Sequence, residues 1–243
     1  MSENQCKLSS RILVKFPTKS RPEKFTNTIL GYIANQTTSG VSYLVTIDED
    51  DETMKNFELP IQNQLNVAFD VNYCCGRSKS KVDAVNRDMD LVEDIFGEID
   101  LIVLASDDMI CEVKGWDEIL LNELNMHFPN RDGVLYHWDG DLATKKHNNG
   151  KGLNTMCIIG MAYYKRFGYI YEPSYKSLWC DNEFTEVADK LGKQYRSDLV
   201  LFRHVHHSNN PLVKIDKLMA YTQSFYKEDA INYERRKALN FGL

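Results

Sequence analysis

Asp107 and Asp108 stand side by side at the end of the apolar run DLIVLA (100–105). Adjacent carboxylates repel one another unless a cation neutralises them, and a hard divalent cation takes oxygen ligands of this kind while bridging phosphate oxygens. Two aspartates can equally begin a loop. Asp139-Gly140-Asp141 has a D-x-D spacing and also reads as a plain turn. In His204-Val205-His206 the alternation of a strand puts both imidazoles on one face, where they suit a metal or a phosphate. Asp181 and Glu183 flank a helix start. As a cap or a dipole partner they are structural. As a general base, Asp181 would be desolvated by Leu178-Trp179-Cys180, which moves a carboxyl pKa towards neutrality. Arg77-Ser78-Lys79-Ser80-Lys81 is basic, rich in hydroxyls and opens a helix, so its amides and lysines could hold a diphosphate or simply face water. Tyr163, Tyr164, Phe167, Tyr169, Tyr171 and Tyr175 serve either as core or as a stacking wall.

The elements that must position these residues alternate between strand and helix. RILVKF (11–16) is a first strand, and Ser20-Arg21-Pro22-Glu23 reads as a capping box for a helix carrying Phe25, Ile29, Tyr32 and Ile33 to about Ala34. SYLVTI (42–47) runs into the acidic segment 48–52, and NVAFDV (66–71) is a third strand. Val82, Val85, Met89, Val92 and Phe96 recur at helical spacing. DLIVLA is apolar enough for the centre of a parallel sheet. Asp117 to Met126 is a helix, GVLYHW (133–138) and TMCIIG (155–160) are strands, and the polar stretch between them is an exposed loop. Asp181 caps a helix with Phe184, Val187, Ala188 and Leu191 on one face and Gly192 at its end, and DLVLFRHVHH (198–207) is a late strand. This order predicts an α/β fold with a mostly parallel central sheet flanked by helices. Thr18 to Arg21, Asp48 to Glu52 and Ser106 to Asp108 then share the rim where such sheets bind ligands.

Composition sets the outer limits. With 43% apolar and 26% charged residues in 243, the chain is an ordinary globular protein able to bury a core without staples. No run approaches the ~18 apolar residues of a membrane helix, and the first residues lack the basic-then-apolar pattern of a signal peptide. The expectation is a cytoplasmic protein with no transmembrane segment. The six cysteines form no C-x-x-C pair, which fits reduced thiols better than a disulfide framework or a zinc site. A net charge of −6 argues against avid, non-specific nucleic-acid binding.

Taken in order, KFPTKSRPEKF, YLVTIDEDDETM, GRSKSKVDAVNRDM, DLIVLASDDMI, YIYEPSYKSLWCDNEFTEVADKLGK and FRHVHH resemble nucleotide-sugar glycosyltransferases of the GT-A fold, closest to family 2. The resemblance covers roughly residues 10 to 207. It implies a single GT-A-like, Rossmann-like domain over residues 1–243, with a nucleotide-sugar part at about 10–110 and an acceptor part at about 111–243. It implies a hexosyl- or pentosyltransferase that moves a sugar from a nucleoside-diphosphate sugar to an acceptor hydroxyl with inversion, UDP being the family's common carrier. Pro17, Thr18, Ser20 and Arg21, with Asp48 and Asp50, would hold the nucleoside; Arg77 and Lys81 would lie against the diphosphate. Ser106, Asp139 and Trp179 are further substrate-binding candidates. Asp107 and Asp108 would match the D-x-D metal site for Mn²⁺ or Mg²⁺, His204 or His206 a late histidine near it, and Asp181 or Glu183 the base. The chain departs from the motif in writing Ala105 where the first aspartate would stand.

The acceptor is open between a glycan or small sugar and, as in phage-type DNA-modifying enzymes, a hydroxymethylated base. For the latter, Lys145-Lys146-His147 to Lys151 and Arg235-Arg236-Lys237 would bind phosphates around an extruded base. A sugar nucleotidyltransferase is a rival reading, set back by the lack of glycine in Pro17-Thr18-Lys19-Ser20-Arg21. A catalytically inactive nucleotide-binding module is another, resting on the incomplete D-x-D.

Overall fold

The computed structural model describes residues 11–56, 69–206, 210 and 212–243. A seven-stranded sheet runs in the order β3-β2-β1-β4-β7-β6-β8, from β1 (Ile12–Thr18), β2 (Val41–Asp48), β3 (Asp70–Gly76), β4 (Leu101–Leu104), β6 (Val134–His137), β7 (Ile158–Gly160) and β8 (Gln194–Ser197). Neighbours pair in parallel except at β7, which runs against both β4 and β6. A small antiparallel ribbon joins β5 (Met109–Cys111) to β9 (Phe202–His204). The helices are α1 (Pro22–Asn35), α2 (Lys81–Asn86), α3 (Val92–Phe96), α4 (Trp116–His127), α5 (Leu142–Gly150), α6 (Met161–Phe167), α7 (Cys180–Lys190), α8 (Lys217–Gln223) and α9 (Tyr226–Ala238).

Alternation along the strands sorts the core into two layers. Ile12, Val14 and Phe16 pack with Phe25, Ile29 and Tyr32 of α1 and Trp116, Leu120 and Leu124 of α4. Leu13, Leu44 and Ile102 face the other way, onto Val82, Val85, Met89, Val92, Phe96 and the buried face of α7. Every residue of β2 and β4 is buried, as a sheet covered on both faces requires. The chain builds β1, β2 and β3 outwards and then returns to place β4 on the other side of β1. That reversal puts a crevice at the carboxyl ends of β1 and β4.

The structure corrects several boundaries. The capping box does not form: Arg21 is the N-cap of α1, Ser20 has φ +59°, and its backbone N–H donates to Asp51 Oδ2 at 2.5 Å. The chain must turn sharply out of β1, and Asp51 holds that turn. The third strand is displaced to Asp70–Gly76; positions 66–68 of the predicted strand, Cys6 and His207 lie outside the described residues. Among the described residues β3 pairs only with β2, and it carries less apolar sequence than its neighbours. The polar stretch after β6 contains α5, capped by Asp141, which accepts from Ala143 N–H, and kinked where Asn148 and Asn149 turn left-handed. The late strand shrinks to β9 and joins β5 instead of the central sheet, while β8 had no apolar signature to announce it. The described cysteines are all free, and no described helix is long and apolar enough to cross a membrane.

Lys15 is the exception inside this core. It points into the α2 layer, fully buried, with Nζ donating to Thr46 Oγ1 and to the Arg87 carbonyl at 2.6 Å and standing 3.9 Å from Asp88. Burial lowers its pKa to about 8, with Asp88 opposing. Between about 8 and the ordinary lysine value of 10.5, the unfolded chain holds a proton that the folded chain has released, so Lys15 makes stability rise with pH across that window. The whole effect is on the order of 3 kcal/mol. Urea unfolding of wild type and Lys15→Met should therefore show the wild type gaining about 3 kcal/mol relative to the variant over this window; a pH-independent difference refutes the assignment.

Candidate active site

The crevice is a cleft of about 680 Å³, within the range of small-molecule sites. Pro17, Thr18, Lys19 and Arg21 enter it from the end of β1, Asp48 from β2, and Ala105 to Met109 from the β4–β5 turn. Ser78, Lys79, Ser80 and Lys81 enter from the start of α2, Tyr171 and Leu178 from the segment before α7, Asp181 from its first turn, and His204 and His206 from β9. Thr155 and residues of α8 and α9 complete the lining.

Arg21 links distant parts of this site. Its Nη1 donates to Asp107 at 3.0 Å, while Nε and Nη2 form a two-point pair with Asp216 at 2.9 and 2.8 Å. Asp216 in turn caps α8 by accepting from Met219 N–H. Burial pushes the Asp107 carboxyl up, against the pull of Arg21 and with help from Asp108.

The β5–β9 ladder sets His204 opposite Met109 and so beside Asp108. His204 Nε2 lies 3.6 Å from Asp108 Oδ2, and Nδ1 lies 3.7 Å from Asp139 Oδ2. Burial would lower the imidazole pKa, but the two carboxylates outweigh it and lift it to about 9. Burial likewise works against ionised Asp108, yet His204, and the Ser106 hydroxyl that donates to it, hold it well below the usual carboxylate range. Asp139 does not line the cleft. It is buried behind His204 and accepts from Thr144 and Thr155 hydroxyls at 2.6 and 2.8 Å.

Asp181 is the second residue of α7, near the positive end of the helix. Burial raises its carboxyl pKa, with Lys81 opposing. Its Oδ1 accepts from Asn182 N–H at 3.0 Å. Glu183 points elsewhere. Its oxygens take Arg236 Nε and Nη2, both at 2.7 Å, and Tyr175 Oη at 2.8 Å, in a buried cluster that ties α7 to α9.

Ser20, Asp50, Arg77 and Trp179 also stand outside the lining. Ser20 serves the turn described above, Asp50 pairs with Lys19 at the exposed rim, and Arg77 pairs with Glu49 in solvent. Trp179 has φ +64° and packs between Tyr226 and Tyr233 of α9. Sequence reasoning reached Lys19, Ser78, Lys79, Ser80 and Tyr171 only as members of longer candidate stretches, and it passed over Thr155. It missed the α8–α9 wall altogether, where the only signal in the sequence is the density of aromatics at Tyr221, Phe225 and Tyr226.

Asp48 Oδ1 and Ser78 Oγ are buried in the cleft without a hydrogen-bond partner, although Arg87 lies 3.6 Å from Asp48. Buried polar atoms are rarely left unsatisfied, and Asp48 Oδ1 has only its ion pair with Arg87. No described group of three or more His, Cys, Asp or Glu is arranged to hold a metal. Asp108 and His204 nevertheless converge closely enough to be two donors to one cation, with Asp139 oriented behind the histidine as an outer partner.

No family model matches the chain, and no curated protein matches it in sequence. Solved structures match it in shape. TarS 1–349 from S. aureus superposes with a TM-score of 0.61 at 15% identity, over 82% of this chain and 61% of that one. The mannosyltransferase PcManGT from Pyrobaculum calidifontis, in complex with GDP-Man and Mn²⁺, gives 0.62 at 10% identity, over 80% and 56%. The fold is that of the GT-A glycosyltransferases. The chain spans about 61% and 56% of the lengths of these two structures. A 4-diphosphocytidyl-2C-methyl-D-erythritol synthase from Anaerococcus prevotii also matches, with a TM-score of 0.52 at 9% identity, over 90% and 96%. The cleft separates two acidic residues that the sequence left as alternatives. Asp181 faces the cleft and Glu183 the core. Glu183→Gln should lower unfolding free energy by about 3 kcal/mol, because it leaves Arg236 without its two-point partner. Asp181→Asn should leave the urea midpoint unchanged or raised, since it removes a charge that desolvation disfavours; the reverse order of the two variants contradicts this division.

Proposed function

We propose that this chain is a glycosyltransferase that moves a sugar from a nucleoside-diphosphate sugar to an acceptor hydroxyl. One observation carries the reading: the Asp108–His204 pair, the α2 lysines and Asp181 converge on a single cleft at the switch point of a GT-A sheet. The nucleoside lies against Pro17, Thr18 and Asp48, which line the cleft from the ends of β1 and β2. The diphosphate lies against Ser78 to Lys81. Asp108, and His204 once a metal displaces its proton, would hold a divalent cation, Mn²⁺ or Mg²⁺, which would offset the charge that develops on the leaving group. PcManGT was solved with this kind of donor and with Mn²⁺. TarS was solved with UDP-GlcNAc and with UDP, and UDP is the carrier we favour here.

Lys79, Lys81 and Arg21 add fixed positive charge around the same leaving group. Asp181 takes the acceptor proton. The acceptor oxygen then forms its bond to the anomeric carbon, the carbon–oxygen bond to the diphosphate breaks, and its electron pair stays on the diphosphate. Attack from the face opposite the leaving group gives inversion. Burial of Asp181 makes it a stronger base than an ordinary aspartate.

The similarity to a synthase that handles a cytidyl group keeps the nucleotidyltransferase reading in view, but the β1–α1 turn has no glycine to let a backbone approach a triphosphate. A DNA acceptor is less favoured. Arg236 is held by Glu183 and Glu172, Lys237 by Glu186, and Lys145 by Asp198, so three of the candidate phosphate-binding cations are already matched.

Thermal unfolding with UDP, GDP, CDP or dTDP, with and without Mn²⁺, tests the donor half. A nucleotide at 100 times its Kd should add about 2.7 kcal/mol, and Asp108→Asn should abolish the metal-dependent part. A protein unmoved by every nucleotide is not this enzyme. With a donor in hand, Asp181→Asn should lower kcat by about 10²–10⁴-fold. Wild-type activity should be lost as pH falls through a value above the ordinary aspartate 3.8, because the base must be ionised to accept the proton.

A further inference from the structure

The cleft has two chemically different walls. All its charged side chains and both histidines come from the strand ends and the starts of α1, α2 and α7. The residues that α8 and the first turn of α9 contribute are Leu218, Met219, Tyr221, Thr222, Gln223 and Tyr226, and none of them carries a charge. Tyr221 is 55% exposed and Tyr226 54% exposed, although both line a concave site. Each ring spends one side on a neighbour: Tyr221 meets Phe225 edge-on at 5.1 Å, and Tyr226 packs on Trp179 at 5.5 Å. Neither ring is covered on all sides, and both line the cleft.

This wall is fixed by the protein itself. Asp216, at the N-cap of α8, is gripped by Arg21 through two hydrogen bonds. Asp229 of α9 is 1% exposed and accepts the backbone N–H groups of Lys176, Ser177 and Leu178 at 2.8–2.9 Å, which locks α9 against the segment that launches α7 and Asp181. The tyrosines are therefore presented on anchored helices beside the proposed base, a preorganised arrangement for binding.

We propose that this uncharged wall is the acceptor subsite and that its occupant is a neutral saccharide, stacked by a C–H face of its ring on Tyr221 and Tyr226 with a hydroxyl turned to Asp181. The proposal rests on the glycosyltransferase reading. Sugar rings present an apolar face that covers exposed aromatic surface, and their hydroxyls donate to groups such as the Thr222 hydroxyl, which gives its own proton to the Met219 carbonyl and keeps lone pairs to accept. A phosphorylated acceptor or a nucleic acid would bring negative charge beside the Asp181 carboxylate, against lining side chains that carry no charge of their own.

Saturation-transfer NMR on the full chain, with UDP or GDP present at saturation, distinguishes these. The probes are methyl glycosides of glucose, galactose, mannose and N-acetylglucosamine, together with glucose 6-phosphate and a duplex oligonucleotide. At least one neutral glycoside should bind. In Tyr221→Ala/Tyr226→Ala its affinity should fall about tenfold, while Tyr221→Phe/Tyr226→Phe keeps it. Calorimetry should show nucleoside diphosphate binding unchanged in both variants. Equal glycoside binding by the alanine variant, binding of the phosphate-bearing probes alone, or no glycoside binding beside intact nucleotide binding would each overturn the acceptor proposal and leave the donor reading standing. Failure to bind any nucleoside diphosphate takes down the reading on which it rests.

Discussion

Carboxylates gathered at the ends of buried parallel strands repel one another, and this structure holds them by bringing a cation to each from elsewhere in the chain. Asp48 meets Lys19, Asp107 meets Arg21, and Asp108 meets His204. Arg21 also reaches Asp216, 195 residues away. Removing either partner of such a pair leaves an uncompensated charge in a poorly solvated place, which is far costlier than losing an exposed ion pair. The central sheet, the β5–β9 ribbon and the C-terminal helices are therefore tied together through the same charges that face the cleft.

Asp181 is the exception that gives the site its asymmetry. The field of Lys81 and the Asn182 N–H group oppose its burial without outweighing it, and its carboxyl is raised where that of Asp108 is depressed. Two aspartates on one cleft thus take opposite characters, one suited to remain an anion and the other to exchange a proton. The difference comes from partners: a histidine backed by Asp139 for the first, and for the second burial that no ion pair compensates.

The C-terminal helices work as a clamp on that second aspartate. Asp229 holds the segment before α7, Trp179 sits between two tyrosines of α9, and Arg236 grips Glu183. Glu183 and Asp181, two residues apart, point to different environments because they lie about 200° apart around the helix. Their division of labour is a consequence of helical geometry.

The sequence by itself determined the alternation of strand and helix, the burial of β1, β2 and β4, and the placement of Asp48, Asp107 and Asp108 at strand ends, because apolar runs and their polar termini are local patterns. It also pointed to Asp181, through the cap-like position and the apolar residues before it. Only the tertiary structure decided that β9 leaves the sheet to carry His204 to Asp108, that Asp139 stands behind the histidine and outside the cleft, and that Glu183 is spent on Arg236. It alone showed α8 and α9 forming a wall of the site. Each of these depends on contacts between residues tens to nearly two hundred positions apart, and no local pattern of hydrophobicity or spacing records which distant charge a side chain will meet.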